Sequence, residues 1–234
     1  MSELTVLLPG YNVARHLGEL IPKIREHLPE AEILLVDDGS TEGTAHVATE
    51  LGLQVEIHAQ NRGKGAALRT GFDAALARGT RAVITMDADG QHLASEAHLL
   101  VAAWREGAEV VVGNRMTATE SMPWLRKRTN EFTSRVISGL AGTPIPDSQN
   151  GYRLFDAAVL KAVHLESERY DLESEILIKA AALGFRVVSV PVTTVYGDEI
   201  SSIHPVADTI RFARLVSRAG RWRRHPGERT TRVS

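Results

Sequence analysis

Residues 82–92 read Ala-Val-Ile-Thr-Met-Asp-Ala-Asp-Gly-Gln-His, an apolar run that leads directly into two carboxylates one residue apart. The run is typical of a buried strand, so Asp87 and Asp89 follow its carboxyl end. Both carboxylates can face one hard divalent cation. Such a cation suits a diphosphate, because it bridges the oxygens and neutralises charge on a leaving group. The plain alternative is an acidic turn, since polar turns often follow strands.

The remainder of the N-terminal half repeats this pattern of strand and helix. Apolar runs predict strands at 4–8, 33–36, 55–57, 82–86 and 110–112. Segments of helical period separate them, as at 13–28, where apolar residues recur on one helix face. Buried strands that alternate with amphipathic helices indicate an α/β fold. We expect a single Rossmann-like domain, with a mostly parallel central sheet and helices on both faces.

The pattern changes beyond residue 113. The sequence predicts loops at 116–124 and 142–150, helices at 125–140, 157–163 and 172–183, and a strand at 186–190. A polar loop at 196–205 is of the kind that closes over a ligand. No linker divides the chain, so we expect one domain at 1–204, followed by a basic amphipathic helix and tail at 205–234.

Composition limits the class of protein. A chain of 234 residues with 43% hydrophobic content can bury a full core. The absence of cysteine excludes disulfides and thiolate metal sites and is compatible with a reducing cytoplasm. The sequence enters a strand pattern at once, so we expect no signal peptide. No apolar run approaches the roughly 20 residues that a membrane-spanning helix needs.

Three polar loops fall at the carboxyl ends of predicted strands, at 9–12, 37–40 and 87–91. Ligands of open parallel sheets bind in the crevice beyond those ends. Tyr11 offers an aromatic face to a base, and Asp37 or Asp38 can accept hydrogen bonds from ribose hydroxyls or from a base. Taken alone, residues 37–40 are equally typical of a turn and helix cap. Three such loops along one sheet edge favour a binding site.

Residues 61–65, Asn-Arg-Gly-Lys-Gly, resemble a phosphate-binding loop. They match neither a Walker A loop nor a full dinucleotide fingerprint. The two glycines can equally serve to ease entry into a helix. Lys64 is a further candidate for holding a nucleotide.

Together these motifs resemble the family-2 glycosyltransferases with the nucleotide-sugar-binding α/β fold, and more narrowly the dolichyl- or polyprenyl-phosphate mannose and glucose synthases. The matching segments occur in the family's order, at 8–12, 36–41, 61–66, 86–92, 113–115 and 147–153. The resemblance implies an inverting transferase that uses a nucleotide-diphosphate sugar, of the GDP-mannose or UDP-glucose type, and Mg²⁺ or Mn²⁺. It also implies a nucleotide-binding half at 1–115 and an acceptor half at 116–204.

The family's site residues carry over by position. The implied nucleotide-sugar ligands are Pro9, Tyr11, Asn12, Asp37, Asp38, Lys64, Asp87, Ala88 and Asp89. The implied metal-binding residues are Asp87, Asp89 and Gln91. The implied catalytic residues are Asp89, Arg115 and Arg128. The implied acceptor-binding residues are Arg115, Arg128, Asp147 and Arg153.

The acceptor has two interpretations. A sugar hydroxyl must lose a proton and needs a general base, for which Glu173 or Glu175 is available. A polyprenyl phosphate is already ionised and needs cations that hold it beside the anomeric carbon. The implied arginines suit that second task, although residues 126–128 also read as a solvated helix end. We expect His92 and His204 to support neighbouring groups and not to act as catalysts.

The C-terminal segment is basic. Residues 205–234 contain eight arginines and two acidic residues, whereas the whole chain has a net charge of −2. An apolar stripe with the period of a helix runs through Phe212, Leu215, Val216, Ala219 and Trp222, and the arginines at 211, 214, 218 and 221 form another stripe. This pattern predicts a helix that lies in a membrane interface. Packing on the catalytic domain or on a second copy, as a homodimer, is the alternative. We expect no nucleic-acid binding.

Our leading hypothesis is therefore a cytoplasmic glycosyltransferase, peripheral on the inner face of the cell membrane, that transfers a hexose to polyprenyl phosphate. The second hypothesis keeps the donor chemistry but has a soluble or saccharide hydroxyl as the acceptor. A third is a scaffold that binds nucleotide sugar at the membrane without turnover. Loss of activity in Asp89→Ala separates an enzyme from a scaffold, which has no activity to lose.

Overall fold

The computed structural model describes residues 2–117, 122, 124–167, 171–193 and 205–224. Within them the chain forms seven strands and eight α-helices. The strands are β1 Leu4–Gly10, β2 Glu32–Asp37, β3 Gln54–Ile57, β4 Ala82–Thr85, β5 Val110–Asn114, β6 Arg153–Asp156 and β7 Val187–Pro191. The helices are α1 Ala14–His27, α2 Thr44–Glu50, α3 Lys64–Ala77, α4 Ala97–Arg105, α5 Trp124–Ala141, α6 Ala157–Ala162, α7 Asp171–Ala182 and α8 Pro205–Arg224.

The strands form one sheet in the order β3-β2-β1-β4-β6-β5-β7. Strand β6 is antiparallel to both of its neighbours, and the other pairs are parallel. Strand β1 pairs with β2 up to Gly10 and Asp37, and with β4 up to Leu7 and Thr85. The polar loops that follow β1, β2 and β4 therefore start at one edge of the sheet.

Both faces of the sheet are covered, as the near-continuous apolar strands predict. Successive residues of β1 point to opposite faces, so that Leu7 belongs to one buried cluster and Leu8 to the other. Helices α3 and α5–α8 pack in the cluster around Leu7, and α1, α2 and α4 in the cluster around Leu8. The prediction of an α/β fold with a mostly parallel sheet is confirmed.

The sequence prediction missed β6. Polar residues at both of its ends, Arg153 and Asp156, obscure the apolar pair Leu154 and Phe155 that the sheet buries. This strand enters between β4 and β5 and gives the sheet its only antiparallel pairings among the described strands.

The interpretation of the α8 apolar stripe as a membrane-facing surface is wrong. Leu215, Ala219 and Trp222 are buried in the same cluster as residues of α5 and α7. Lys179 on α7 places Nζ 5.1 Å from the centre of the Trp222 ring, and Arg218 lies 3.9 Å from Asp171. The apolar face of α8 is therefore occupied by the domain itself. The division of the chain at residue 205 stays a prediction.

No helix in the described ranges is both long enough and apolar enough to cross a membrane. Nearly all of the predicted loop at 196–205, including His204, lies outside those ranges, as do the arginines at 229 and 232.

Candidate active site

The centre of the site is an ion pair at the carboxyl end of β4. Lys64, the first residue of α3, places its Nζ 2.6 Å from Asp87 Oδ1. The same nitrogen lies 3.4 Å from Oε1 of Glu173, on α7. His92 Nε2 lies 3.3 Å from the other oxygen of Asp87. Three parts of the chain that are far apart in sequence thus bring two carboxylates, an ammonium and an imidazole together.

Gly151 closes one side of this cluster. A Cβ atom added at Gly151 would lie 2.8 Å from Lys64 Nζ and 2.9 Å from Asp87 Oδ2. The Gly151 carbonyl accepts a hydrogen bond of 2.7 Å from Thr85 Oγ1, which fixes the backbone at this point. A larger residue at 151 would therefore displace the Lys64 and Asp87 side chains from their present positions.

The charges in the cluster stabilise one another. Burial alone would lower the pKa of the Lys64 ammonium, but Asp87 and Glu173 outweigh it and raise that pKa above its ordinary value. Burial likewise opposes ionisation of Asp87, yet Lys64 and His92 hold its pKa well below the ordinary value. Lys64 and Asp87 are therefore both charged at neutral pH.

The second carboxylate of the 82–92 stretch belongs to a tight turn. Asp89 Oδ1 accepts a hydrogen bond of 2.9 Å from the Gln91 backbone, and Gly90 takes a φ of 77°. Ala88 is buried, whereas Gln91 is half-buried. No group of three or more His, Asp or Glu side chains arranged to hold a metal ion is found in the described residues. A cation at Asp87 and Asp89 must therefore draw further ligands from elsewhere.

Asp38 is held by hydrogen bonds within the protein. It is buried, and it accepts hydrogen bonds from His58 Nδ1 at 2.6 Å, from the Arg62 amide at 2.9 Å and from the Gly63 amide at 2.7 Å. These bonds fix the loop that leads into Lys64. His58 in turn contacts Thr70 Oγ1 at 2.9 Å. Sequence analysis missed His58, because both of its partners are distant along the chain.

The remaining donor-side candidates stand at the ends of β1 and β2. Pro9 lies within β1, and the Tyr11 ring that follows is 47% exposed, so that an aromatic face is available. Asn12 has a φ of 55° and accepts a hydrogen bond of 2.9 Å from the Thr41 amide. Asp37 is buried and accepts one of 2.8 Å from the Ser40 amide. The two loops are thus joined directly.

A second ion pair lies at the end of β5. Arg115, directly after β5, places Nε 2.7 Å from Asp147 Oδ2 and Nη2 2.9 Å from Oδ1. Asn130 on α5 donates to the same carboxylate at 2.8 Å. Burial opposes ionisation of Asp147, but the hydrogen bonds from Arg115 and Asn130 outweigh it and lower its pKa. Asn130 is a residue that sequence analysis did not identify.

Arg153 and Arg128 occupy contrasting positions. Arg153 is 1% exposed and donates to the carbonyls of Asn150, Ser148 and Glu173 at 2.7, 2.8 and 2.6 Å. Its guanidinium thus ties β6 to α7. Arg128 lies on the exposed side of α5, where its nearest acidic contact is Glu131 at 3.5 Å. Arg153 also lies close enough to Asp147 and Arg115 for their charges to act on its guanidinium, whereas Arg128 stands apart from that pair.

The alternative role of Glu175 as a general base is wrong. Its carboxylate is fully buried and accepts hydrogen bonds from the Glu166 and Ser167 amides and from Lys179, at 2.9, 2.8 and 2.6 Å. Glu175 therefore holds the segment before α7 in place. Of the two glutamates, only Glu173 faces the Asp87 cluster.

A wide groove of about 770 Å³ adjoins α5. Helix α5 contributes Lys127, Glu131 and Arg135 to its lining, and the segment that follows contributes Pro144 and Pro146. On the exposed side of the same helix, Trp124 and Phe132 are 70% and 59% exposed. The acceptor half thus presents cations and aromatic rings on one helix.

Comparisons with known proteins agree with this geometry. The model of glycosyl transferase family 2 matches residues 5–163. The polyprenol monophosphomannose synthase of Mycolicibacterium smegmatis is 34% identical over 200 residues, which cover 80% of this chain and 76% of that protein. The undecaprenyl-phosphate mannosyltransferase of Micrococcus luteus is 33% identical over 206 residues, which cover 83% and 84%.

A solved structure shows the same fold. It is that of glucosyl-3-phosphoglycerate synthase from Mycobacterium tuberculosis, in complex with Mn²⁺, UDP and phosphoglyceric acid. The likeness has a TM-score of 0.72 at 18% identity and covers 95% of this chain and 78% of that one. Since the family model spans more than half of the sequence, this chain belongs to glycosyl transferase family 2 and is a glycosyltransferase.

Proposed function

We propose that this enzyme transfers a hexose from a nucleotide-diphosphate sugar to a polyprenyl phosphate, with inversion. An oxygen of the acceptor phosphate forms a bond to the anomeric carbon while the bond from that carbon to the donor diphosphate breaks. The names of the relatives from M. smegmatis and M. luteus support the acceptor class. The observation that carries the donor chemistry is the charged cluster of Lys64, Asp87 and Glu173 at the sheet edge.

The residues that follow β4 are suited to a divalent cation that binds together with the donor diphosphate. Asp87 and Asp89 supply hard carboxylate oxygens, which Mg²⁺ and Mn²⁺ prefer, and Gln91 lies in the same turn. Asp87, Asp89 and Gln91 would hold the cation and would leave positions for oxygens of the diphosphate. When bound, the cation stabilises the negative charge of the departing diphosphate. The related fold with Mn²⁺ and UDP supports this proposal.

The chain's own residues orient the donor. The exposed Tyr11 ring stacks against the base, and Asp37 beside Asn12 borders the nucleoside. Asp38 acts indirectly, because it fixes the loop that carries Lys64. The Lys64 ammonium then lies within reach of the diphosphate, where its charge offsets that of the phosphates.

The acceptor phosphate needs positive charge and no base, since it is ionised at neutral pH. Arg115 supplies that charge from the end of β5, and Asp147 fixes the plane of its guanidinium. Arg128 is exposed on α5, where it can meet a phosphate that arrives from a membrane. Arg153 supports the backbone beneath the site, where it contacts the Glu173 carbonyl.

The position of Glu173 supports a second candidate function, transfer of the hexose to a saccharide hydroxyl. It is only 9% exposed and faces the donor cluster, so it can serve as the base for a saccharide hydroxyl. Its proximity to the Lys64 ammonium favours a structural role instead, because the carboxylate then serves as a partner of that ammonium.

We also place the enzyme at the cytoplasmic membrane surface through α5. Trp124, Arg128 and Phe132 are spaced four residues apart and share one exposed helix face. Aromatic rings beside cations suit a membrane interface. This face replaces the buried stripe of α8 as the site of membrane contact.

A direct experiment tests the proposed function. A thermal-shift panel of GDP-mannose and UDP-glucose, each with Mn²⁺ and with chelator, identifies the donor, since the cognate ligand stabilises the fold. Transfer is then measured with a short-chain polyprenyl phosphate in detergent and with free saccharides. We expect product with the lipid phosphate, and activity retained in Glu173→Gln to within about tenfold. Product with saccharides alone, abolished in Glu173→Gln, would establish the second candidate.

A further inference from the structure

The Lys64 ammonium contacts one of the two Asp87 oxygens that could bind a metal ion. Its Nζ lies 2.6 Å from Asp87 Oδ1, a charge-assisted hydrogen bond at the short end of the normal range. A divalent cation cannot bind that oxygen closely while the ammonium remains, because like charges repel strongly in a partly buried site. The structure therefore shows the ligand already engaged by the protein's own cation.

A second position for the ammonium lies next to the first. Glu173 Oε1 is 3.4 Å from the same nitrogen, beyond a normal hydrogen-bond distance. This oxygen is buried and accepts no hydrogen bond from the residues that the structure describes. A buried carboxylate oxygen without a donor is costly, so it favours any closer approach of the ammonium.

The surroundings permit that movement and little else. The loop before Lys64 is fixed by the Asp38 carboxylate, and the Gly151 backbone closes the side of the cluster behind the pair. The flexible lysine stem can shift its nitrogen by about one ångström while its backbone stays in place.

We infer that Lys64 is a resident cation that pairs with Asp87 until a divalent cation binds, and that it then moves to Glu173. Glu173 is then a positioning residue, which retains the ammonium beside the diphosphate. The site consequently has low affinity for a metal ion alone and gains affinity when the nucleotide diphosphate arrives with it. This inference rests on the proposed function.

The test measures Mn²⁺ binding without catalysis. Free Mn²⁺ is followed by electron paramagnetic resonance as the full-length protein is titrated, first alone and then with saturating UDP or GDP. The variants are Lys64→Met, which keeps the apolar stem but removes the charge, and Glu173→Gln, which removes the second position. Lys161→Met, on the exposed side of α6, is the control with the same change of net charge.

The two variants should shift binding in opposite directions. Lys64→Met should bind Mn²⁺ alone about tenfold more tightly than the wild type and the Lys161→Met control. Glu173→Gln should weaken Mn²⁺ binding about tenfold both alone and with the nucleotide, because the ammonium that leaves Asp87 no longer finds a carboxylate beside it. A site that is merely damaged loses affinity in both variants, so the opposite signs of the two shifts distinguish a moving ammonium from a structural defect.

The outcomes separate this inference from the proposed function. If the wild type binds Mn²⁺ with UDP or GDP but Lys64→Met binds Mn²⁺ alone no better than the control, Lys64 does not compete with the metal. If Lys64→Met proves unfolded, the Glu173→Gln pattern alone decides, and equal binding to wild type with nucleotide overturns the inference. If the folded wild type binds no Mn²⁺ with either nucleotide, the metal dependence in the proposed function is wrong, and the inference about Lys64 falls with it.

Discussion

Arg115 and Asp147 form a two-pronged ion pair, in which Nε and Nη2 of the arginine lie 2.7 and 2.9 Å from the two oxygens of a fully buried carboxylate. The pair connects the end of β5 to the segment before β6, and Asn130 adds a bond from α5. One buried charge thus fixes three parts of the acceptor half. Removal of one partner leaves the other charge in a poorly solvated position.

We predict that Asp147→Asn lowers the free energy of unfolding by about 3 kcal/mol, because it removes the charge of Asp147 from beside the half-buried Arg115 guanidinium. Urea unfolding at pH 7 measures this value. The matched control is Asp73→Asn on α3, an exposed position that should change stability by no more than about 0.5 kcal/mol. Equal stabilities of the two variants would show that the pair contributes little.

The same pair predicts a pH dependence. The pKa of Asp147 is lowered in the folded state, so its contribution to stability is present above the ordinary aspartate pKa of about 3.9 and is lost as the pH falls through the folded value. The difference in stability between wild type and Asp147→Asn should be constant from about pH 5 to 8 and should narrow below about pH 4. A gap that stays constant into strong acid contradicts this assignment.

The sequence predicted the strands and helices of residues 1–115 well because the signals for them are local. A strand such as Leu4–Gly10 is apolar on both faces, and this pattern is incompatible with an exposed surface. Since parallel strands end at one edge, the loops at Asp37 and Asp87 had to meet there. By contrast, the Lys64–Asp87 contact depends on where the first turn of α3 lies relative to the end of β4. The spacing of residues along the sequence does not predict that position.

The failures have a common physical cause. A stripe such as Leu215 and Trp222 shows that a helix face must be covered, but not whether lipid or protein covers it. The polar residue Arg153 indicated a ligand contact, yet its burial is satisfied by backbone carbonyls that only the fold brings near. Likewise, Glu173 and Glu175 look equivalent in sequence, and the direction of each on α7 decides its role.

The packing of α8 gives a second stability prediction. Trp222→Ala should lower the free energy of unfolding by about 3 kcal/mol, because it leaves a cavity in the cluster that α7 and α8 share. Denaturant unfolding measures the change, and Arg214→Ala, exposed on the same helix, serves as the control. If Trp222→Ala leaves stability unchanged but abolishes liposome binding, the apolar stripe of α8 contacts the membrane and not the domain.

Membrane contact through α5 predicts a complementary result. Trp124→Ser should weaken co-sedimentation with anionic liposomes roughly tenfold, since the exposed ring no longer enters the interface. Stability should stay within about 0.5 kcal/mol of wild type. Ile57→Ser removes a similarly exposed apolar side chain at the end of β3 and is the matched control. An equal effect of both variants would indicate nonspecific adsorption.

The central claim is that Asp87 and Asp89 bind a cation that carries the donor diphosphate. Calorimetry with Mn²⁺ and the donor from the thermal-shift panel tests it, comparing wild type with the double variant Asp87→Asn and Asp89→Asn after circular dichroism has confirmed folding. We predict that the loss of two carboxylate ligands weakens donor binding by at least about tenfold. Donor binding of equal strength in the two proteins would contradict the account.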